Sequence, residues 1–301
     1  MTVTRPTSSE AVRTALSDLQ TAYARLQRTQ EQLSTGRQIN RPEDDPFGAG
    51  RALSLRDRLG DVGQLQRNID DAKGFLQQGD VALGNVTSLL QRARELVVQG
   101  ANTTLDQSQL DAIAEEIHQL REAAREQMNA QFAGKYLFGG SATLTQPYDA
   151  TGTYNGNDDV VKRLIGEGGI TVDLNVRGWE AFSTPPAAGS TENVLTSLDR
   201  IESELRAGNR TAISGEIDAV QAHIDQVSEA RAKIGSRTNR LDTTAAQLSD
   251  TELNVKDLLS KTEDVDIAKA MVDYSSQQAT YESALRTSAR ILQPTLMDFL
   301  G

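Results

Sequence analysis

Residues 33–50 read "LSTGRQINRPEDDPFGAG". A helical pattern stops at Gly36, and another starts after Pro46. Between them stand Glu43, Asp44 and Asp45, framed by Pro42 and Pro46 and preceded by Asn40. The run is either an acid or metal site or the joint between two long helices. Gly36 sits where a left-handed helix cap belongs. Asp45 is placed as the N-cap of the next helix, with Pro46 at its first position, where a missing N–H costs nothing. Carboxylates also suit hard cations, but no second ligand cluster with calcium-loop spacing follows. The joint is therefore the preferred reading, with a metal site as its rival.

Working outward, both flanks are helical. Upstream, Thr7 and Glu10 have capping-box spacing. Val12, Leu16, Leu19, Tyr23, Leu26, Gln30 and Leu33 then recur in steps of four and three, a narrow coiled-coil seam. Downstream, an apolar series from Leu55 to Val97 predicts a helix to about residue 100, with bends or fraying at Gly63, Gly74, Gly79 and Gly84. A third helix covers about 106–132. Residues 140–188 change texture to Gly, Thr and Asn, and "ITVDLNV" (170–176) alternates strictly with Ile170, Val172, Leu174 and Val176 on one face. Helix returns near 191. A seam from Ile213 to Leu259 follows, and its phase continues through Ile267, Met271, Tyr274, Gln278, Tyr281, Leu285, Ser288 and Leu292. Pro294 interrupts, and Leu296, Phe299 and Leu300 make the end apolar.

The predicted fold is mainly α. N- and C-terminal segments pair as a long antiparallel coiled-coil or helical-bundle rod carrying a small β-containing insert. The expected divisions are a terminal assembly helix (1–45), rod (46–139), insert (140–188), rod (189–262) and a second assembly helix (263–301). The insert enters and leaves through Gly- and Pro-rich links, so it is expected to be dispensable for folding of the rod. The outer tails carry more apolar surface than a lone chain needs, which marks Val12, Leu16, Leu19, Tyr23, Leu26, Leu33, Tyr281, Leu285, Leu292, Leu296, Phe299 and Leu300 as an assembly interface.

Composition narrows the function. The chain has 301 residues and a net charge of −11, which speaks against nucleic acid or anionic membrane as partner. It has no cysteine, hence no disulfide framework. No secretory h-region and no run approaching the roughly 20 apolar residues of a membrane span is visible. "FGAGRAL" lacks the preceding strand that a dinucleotide fingerprint needs. His118 and His223 stand on polar helix stretches and read as solvated surface. No nucleophile elbow or zinc motif appears, so no enzyme activity and no cofactor is expected.

The motifs resemble a family. "LSTGRQINRPEDDPFGAG" is similar to the loop between the first two helices of bacterial flagellins and their relatives, and "ARAKIGSRTNRLD" (230–242) to the matching C-terminal helix. "GKYLFGGS" after the third helix and the ending "ARILQPTLMDFLG" resemble the hook–filament junction branch, the third hook-associated proteins of FlgL type. The resemblance implies a non-enzymatic structural protein, exported unfolded by the flagellar type III apparatus with a dedicated export chaperone. It also implies a self-assembled ring of about eleven copies, between the first hook-associated protein and flagellin. A filament flagellin, or a coiled-coil rod with a metal site or enzymatic role, are the alternatives.

Overall fold

The computed structural model describes residues 8–292. Seven helices and four short strands follow one another: α1 (Ser8–Thr35), α2 (Pro46–Gly100), α3 (Gln107–Met128), β1 (Gln131–Phe132), β2 (Lys135–Tyr136), β3 (Lys162–Gly166), β4 (Ile170–Asp173), α4 (Gly178–Phe182), α5 (Val194–Ala207), α6 (Arg210–Glu263) and α7 (Ile267–Leu292). At 54 residues, α6 is about 80 Å long. The chain divides into a terminal unit, Met1–Asp61 with Thr251–Gly301, and a central unit, Val62–Asp250. The predicted capping box at Thr7 and the break at Pro294 lie outside the described residues. Among the described residues, no helix is long and apolar enough to cross a membrane.

In the central unit, α2, α3, α5 and α6 form an antiparallel bundle. Arg92 meets Glu116 at 2.7 Å and Asn85 meets Gln127 at 3.0 Å, which sets α2 against α3. Lys73–Asp242 and Asp80–Arg231, at 2.6 and 2.9 Å, set α2 against α6. Caps end these helices where the sequence provides them. Asp106 and Asn193 each complete a capping box, and Gly208 takes the left-handed conformation between α5 and α6. α2 is helical throughout Pro46–Gly100, so its glycines do not fray it as expected. Instead they seat partners: a Cβ at Gly74 would lie 3.0 Å from the Phe132 ring, and one at Gly84 would lie 3.7 Å from the Arg231 guanidinium carbon.

The β-containing segment shares the core of this bundle. β3 and β4 pair antiparallel, and the register slips between Leu164 and Gly166. At that slip Ile170 is exposed, whereas Val172, Leu174 and Val176 are buried. Phe138, Tyr148 and Phe182 form an edge-to-face group, with Phe138–Phe182 at 5.0 Å and Tyr148–Phe182 at 5.9 Å. These side chains belong to the same continuous core as Leu76 of α2, Ile117 of α3 and Val227 of α6. Polar clasps reinforce the join: Lys233 Nζ lies 2.9 Å from Glu180, and Arg237 donates to the Asn175 carbonyl at 2.9 Å. Removing residues 142–188 would take Tyr148, Ile165, Val172 and Phe182 out of that core. The expectation that the insert is dispensable is therefore replaced by one of substantial destabilisation.

His223 also departs from its reading as solvated surface. It is 1% exposed on α6, and its Nδ1 shares a hydrogen bond with Thr184 Oγ1 at 2.9 Å. Burial first, then the Arg200 charge, pushes its pKa from 6.5 down to about 4. Above pH 6.5 the ring is neutral whether the chain is folded or not. Between 6.5 and 4 the unfolded chain takes up the proton first, so stability falls as pH falls. At 1.36 kcal/mol per unit, the loss approaches about 3 kcal/mol by pH 4. Unfolding midpoints measured across this range for the parent and for His223→Gln should show that component shrinking in the variant. Identical slopes would refute the assignment.

Candidate assembly surface and inter-helix joint

The opening stretch folds as a joint in the terminal unit. Gly36, at φ +72°, caps α1, and its N–H donates to the Gln32 carbonyl at 2.9 Å. Phe47 N–H donates to Asp45 Oδ1 at 3.1 Å, so Asp45 caps α2 with Pro46 at the first position. Asn40 and Arg41 donate backbone N–H groups to Asp44 Oδ2 at 3.2 and 2.9 Å, and Arg28 of α1 reaches Asp44 Oδ1. Burial works to raise the Asp44 pKa. The hydrogen bonds from the Arg41 backbone, the Arg28 guanidinium and the Asn40 backbone outweigh it and hold the carboxyl below its ordinary range. Glu43 faces Arg41 at 3.5 Å, and Pro42 is exposed. The three carboxylates are thus engaged by the joint and its flanking helices: Asp45 by the Phe47 N–H, Asp44 by Arg28 and the Asn40 and Arg41 N–H groups, and Glu43 by the Arg41 guanidinium. Among the described residues, no group of three or more His, Cys, Asp or Glu is placed to hold a metal ion.

The joint is tied to the link between α6 and α7. Gln38 N–H donates to the Glu263 carbonyl at 2.7 Å, and Val265 N–H donates to the Gly36 carbonyl at 2.9 Å. The Glu263 side chain is buried and paired with Arg37, at 3.5 Å, and with Arg56 of α2. Nothing in the local sequence marks Glu263 as such a hub. Its partners lie more than two hundred positions away.

α1 and α7 pack against each other. Thr29 Oγ1 donates to Gln277 Oε1 at 2.8 Å, and the Tyr23 and Tyr281 rings are 5.6 Å apart, so the helices run antiparallel. The least exposed line of α1 is Val12, Ala15, Leu19, Ala22, Leu26, Thr29 and Leu33. On α7 it is Ala270, Tyr274, Gln277, Tyr281, Ala284 and Ser288. Both lines keep the three-four alternation of a coiled coil, yet they differ from the predicted seam. Leu16, Tyr23 and Gln30 give way to Ala15, Ala22 and Thr29, and Met271, Gln278 and Leu285 give way to neighbours. Small residues let two backbones approach closely, so the larger apolar side chains are left on the flank.

That flank is the candidate assembly surface. Leu16 is 52% exposed and Leu285 42%, and with Val12, Ala15, Leu19, Ser288 and Ala289 they line an apolar groove of about 240 Å³. Tyr23, Ile267, Met271 and Val272 are exposed on the same two helices. Leu26, Leu33 and Tyr281 sit half-buried between α1 and α7. The Leu292 side chain, and Leu296, Phe299 and Leu300, lie outside the described residues.

Comparison with known proteins adds to this picture. Residues 8–143 match the family described as the bacterial flagellin N-terminal helical region, and residues 217–300 the bacterial flagellin C-terminal helical region. Flagellin FlaB2 of Treponema pallidum is 30% identical over 271 residues, 90% of each chain. Flagellar hook-associated protein 3 of Salmonella typhimurium is 26% identical over 294 residues, covering 90% of this chain and 92% of that one. Among solved structures, Bacillus cereus FlgL superposes with a TM-score of 0.60 at 25% identity, over 69% of this chain and 99% of that one.

Proposed function

The chain belongs to the bacterial flagellin family, and from that premise we propose that it is the non-catalytic subunit joining hook to filament. It is a structural component of the bacterial flagellum. In the proposed reading it is exported unfolded with the help of a chaperone. It assembles as a ring on the first hook-associated protein and receives flagellin on its outer side. The observations that carry this reading are the superposition on Bacillus cereus FlgL, which takes in 99% of that chain and 69% of this one, and a hook-associated relative aligned over nine-tenths of both proteins. The exposed apolar flank of α1 and α7 supplies surface for contacts with further subunits.

A second reading, a filament subunit, is favoured by the 30% identity to FlaB2. Deletion of the gene separates the two. Cells that keep hooks, continue to make flagellin and release it as monomers into the medium support the junction role. Cells that still carry full-length filaments overturn it. Purified protein that polymerises unaided into long filaments supports the second reading.

A further inference from the structure

Two tyrosine pairs are in ring contact among the described residues. Tyr148 and Tyr154, at 5.3 Å, lie inside the central unit, and Tyr148 is fully buried. Tyr23 of α1 and Tyr281 of α7 are 5.6 Å apart with their planes tilted by 39°. This second pair is reachable, since Tyr23 is 46% exposed. Gln27 Nε2 donates to the Tyr23 hydroxyl at 2.9 Å and holds the ring beside its neighbour. The sequence contains no cysteine, so no thiol competes for an oxidant. The chain's one tryptophan, Trp179, lies in the central unit, with its Nε1 donating to Asp158 at 2.5 Å.

We propose that Tyr23 and Tyr281 form an oxidative coupling site, at which a one-electron oxidant of the peroxidase–peroxide class joins the two rings and so staples α1 to α7. Each phenol loses one electron and one proton to become a phenoxyl radical with spin on its ortho carbons. The two ortho carbons form a carbon–carbon bond, and their hydrogens shift to the oxygens as both rings regain aromaticity. Hydrogen peroxide accepts the two electrons and two protons and leaves as two waters. The product is an intramolecular dityrosine, two hydrogens lighter than the parent. It closes a loop over most of the chain, so the two terminal helices can no longer separate and the chain can no longer be drawn out fully extended. The site rests on the placement of the two rings and does not depend on the junction reading.

The test uses the purified full-length chain at low concentration, treated with horseradish peroxidase and hydrogen peroxide. Expected are the blue fluorescence of dityrosine, a band that stays monomeric on denaturing gels, and a digest containing one cross-linked peptide pair that joins the Tyr23 and Tyr281 segments. Tyr23→Phe and Tyr281→Phe each keep the ring but lose the radical-forming hydroxyl, so either should abolish the product at unchanged helical content. Tyr154→Phe should leave it intact. Absence of the cross-linked pair in the parent, coupling only between separate chains, or persistence of the product in Tyr23→Phe would each overturn the proposal.

Discussion

Truncating Phe182 to alanine should lower the stability of the central unit by about 3–5 kcal/mol. The ring is fully buried and meets Phe138 edge-on at 5.0 Å and Tyr148 at 5.9 Å. Its loss removes the transfer free energy of a phenyl group. It also leaves a cavity that the two remaining aromatics cannot close without leaving their own partners. Tyr148 is pinned through its backbone by the Asn129 side-chain amide, whose Nδ2 donates to the Tyr148 carbonyl and whose Oδ1 accepts from the Tyr148 N–H, both at 2.9 Å. Gly178, which opens the same short helix as Phe182, donates its N–H to the Phe138 carbonyl at 2.9 Å. In a unit of this size each kcal/mol shifts the melting midpoint by roughly 2–4 °C, so a fall of about 10 °C is expected. Ile170→Ala, at an exposed site on β4, is the control and should change stability by less than about 0.5 kcal/mol. A Phe182→Ala change no larger than the control's would mean that the β-containing segment is a satellite. The one-core description would then be wrong.

Residues that act locally were readable from the sequence, and those that act through distant partners were not. Asp45 and Pro46 announce the start of α2 because capping is a matter of two or three neighbouring backbone groups. The antiparallel pairing of α1 with α7 followed from two narrow seams with no partner in their own segments. Within that pairing the exact line was misread, because ranking residues by hydrophobicity selects Leu16 and Tyr23, whereas close helix approach selects Ala15 and Ala22. His223 was misread for a related reason: its helix stretch is polar, but the face it occupies is covered by Thr184, from a part of the chain with no helical period at all. At the joint, the sequence presents Asp44 only as the middle member of an acidic trio. Its partner Arg28 lies sixteen positions upstream on the preceding helix, where no local rule connects the two.

Replacing Leu16 or Leu285 by aspartate should leave the monomer nearly as stable as the parent and abolish assembly. Both side chains are about half exposed in the lone chain, so the folded monomer has little burial to lose. Full burial of a leucine is worth roughly 1.5–3 kcal/mol. About half of that remains to be gained when the groove between Val12 and Ala289 is covered by another subunit. A carboxylate at either position reverses the sign, since burying it without a partner costs several kcal/mol. A repeating assembly meets that cost at every copy, so one substitution acts many times over. Leu26→Asp provides the contrast. Leu26 lies half-buried on the line facing α7, and its replacement should loosen the α1–α7 pair itself. Three measurements separate the cases: thermal melting of each purified variant, detection of each in the culture medium as a measure of export, and filament attachment in cells lacking the parent gene. Early melting of Leu285→Asp would place that residue in the core of the pair. Normal attachment by both Leu16→Asp and Leu285→Asp would remove the exposed flank from the assembly surface and leave Tyr23, Met271 and Val272 without the role assigned to them.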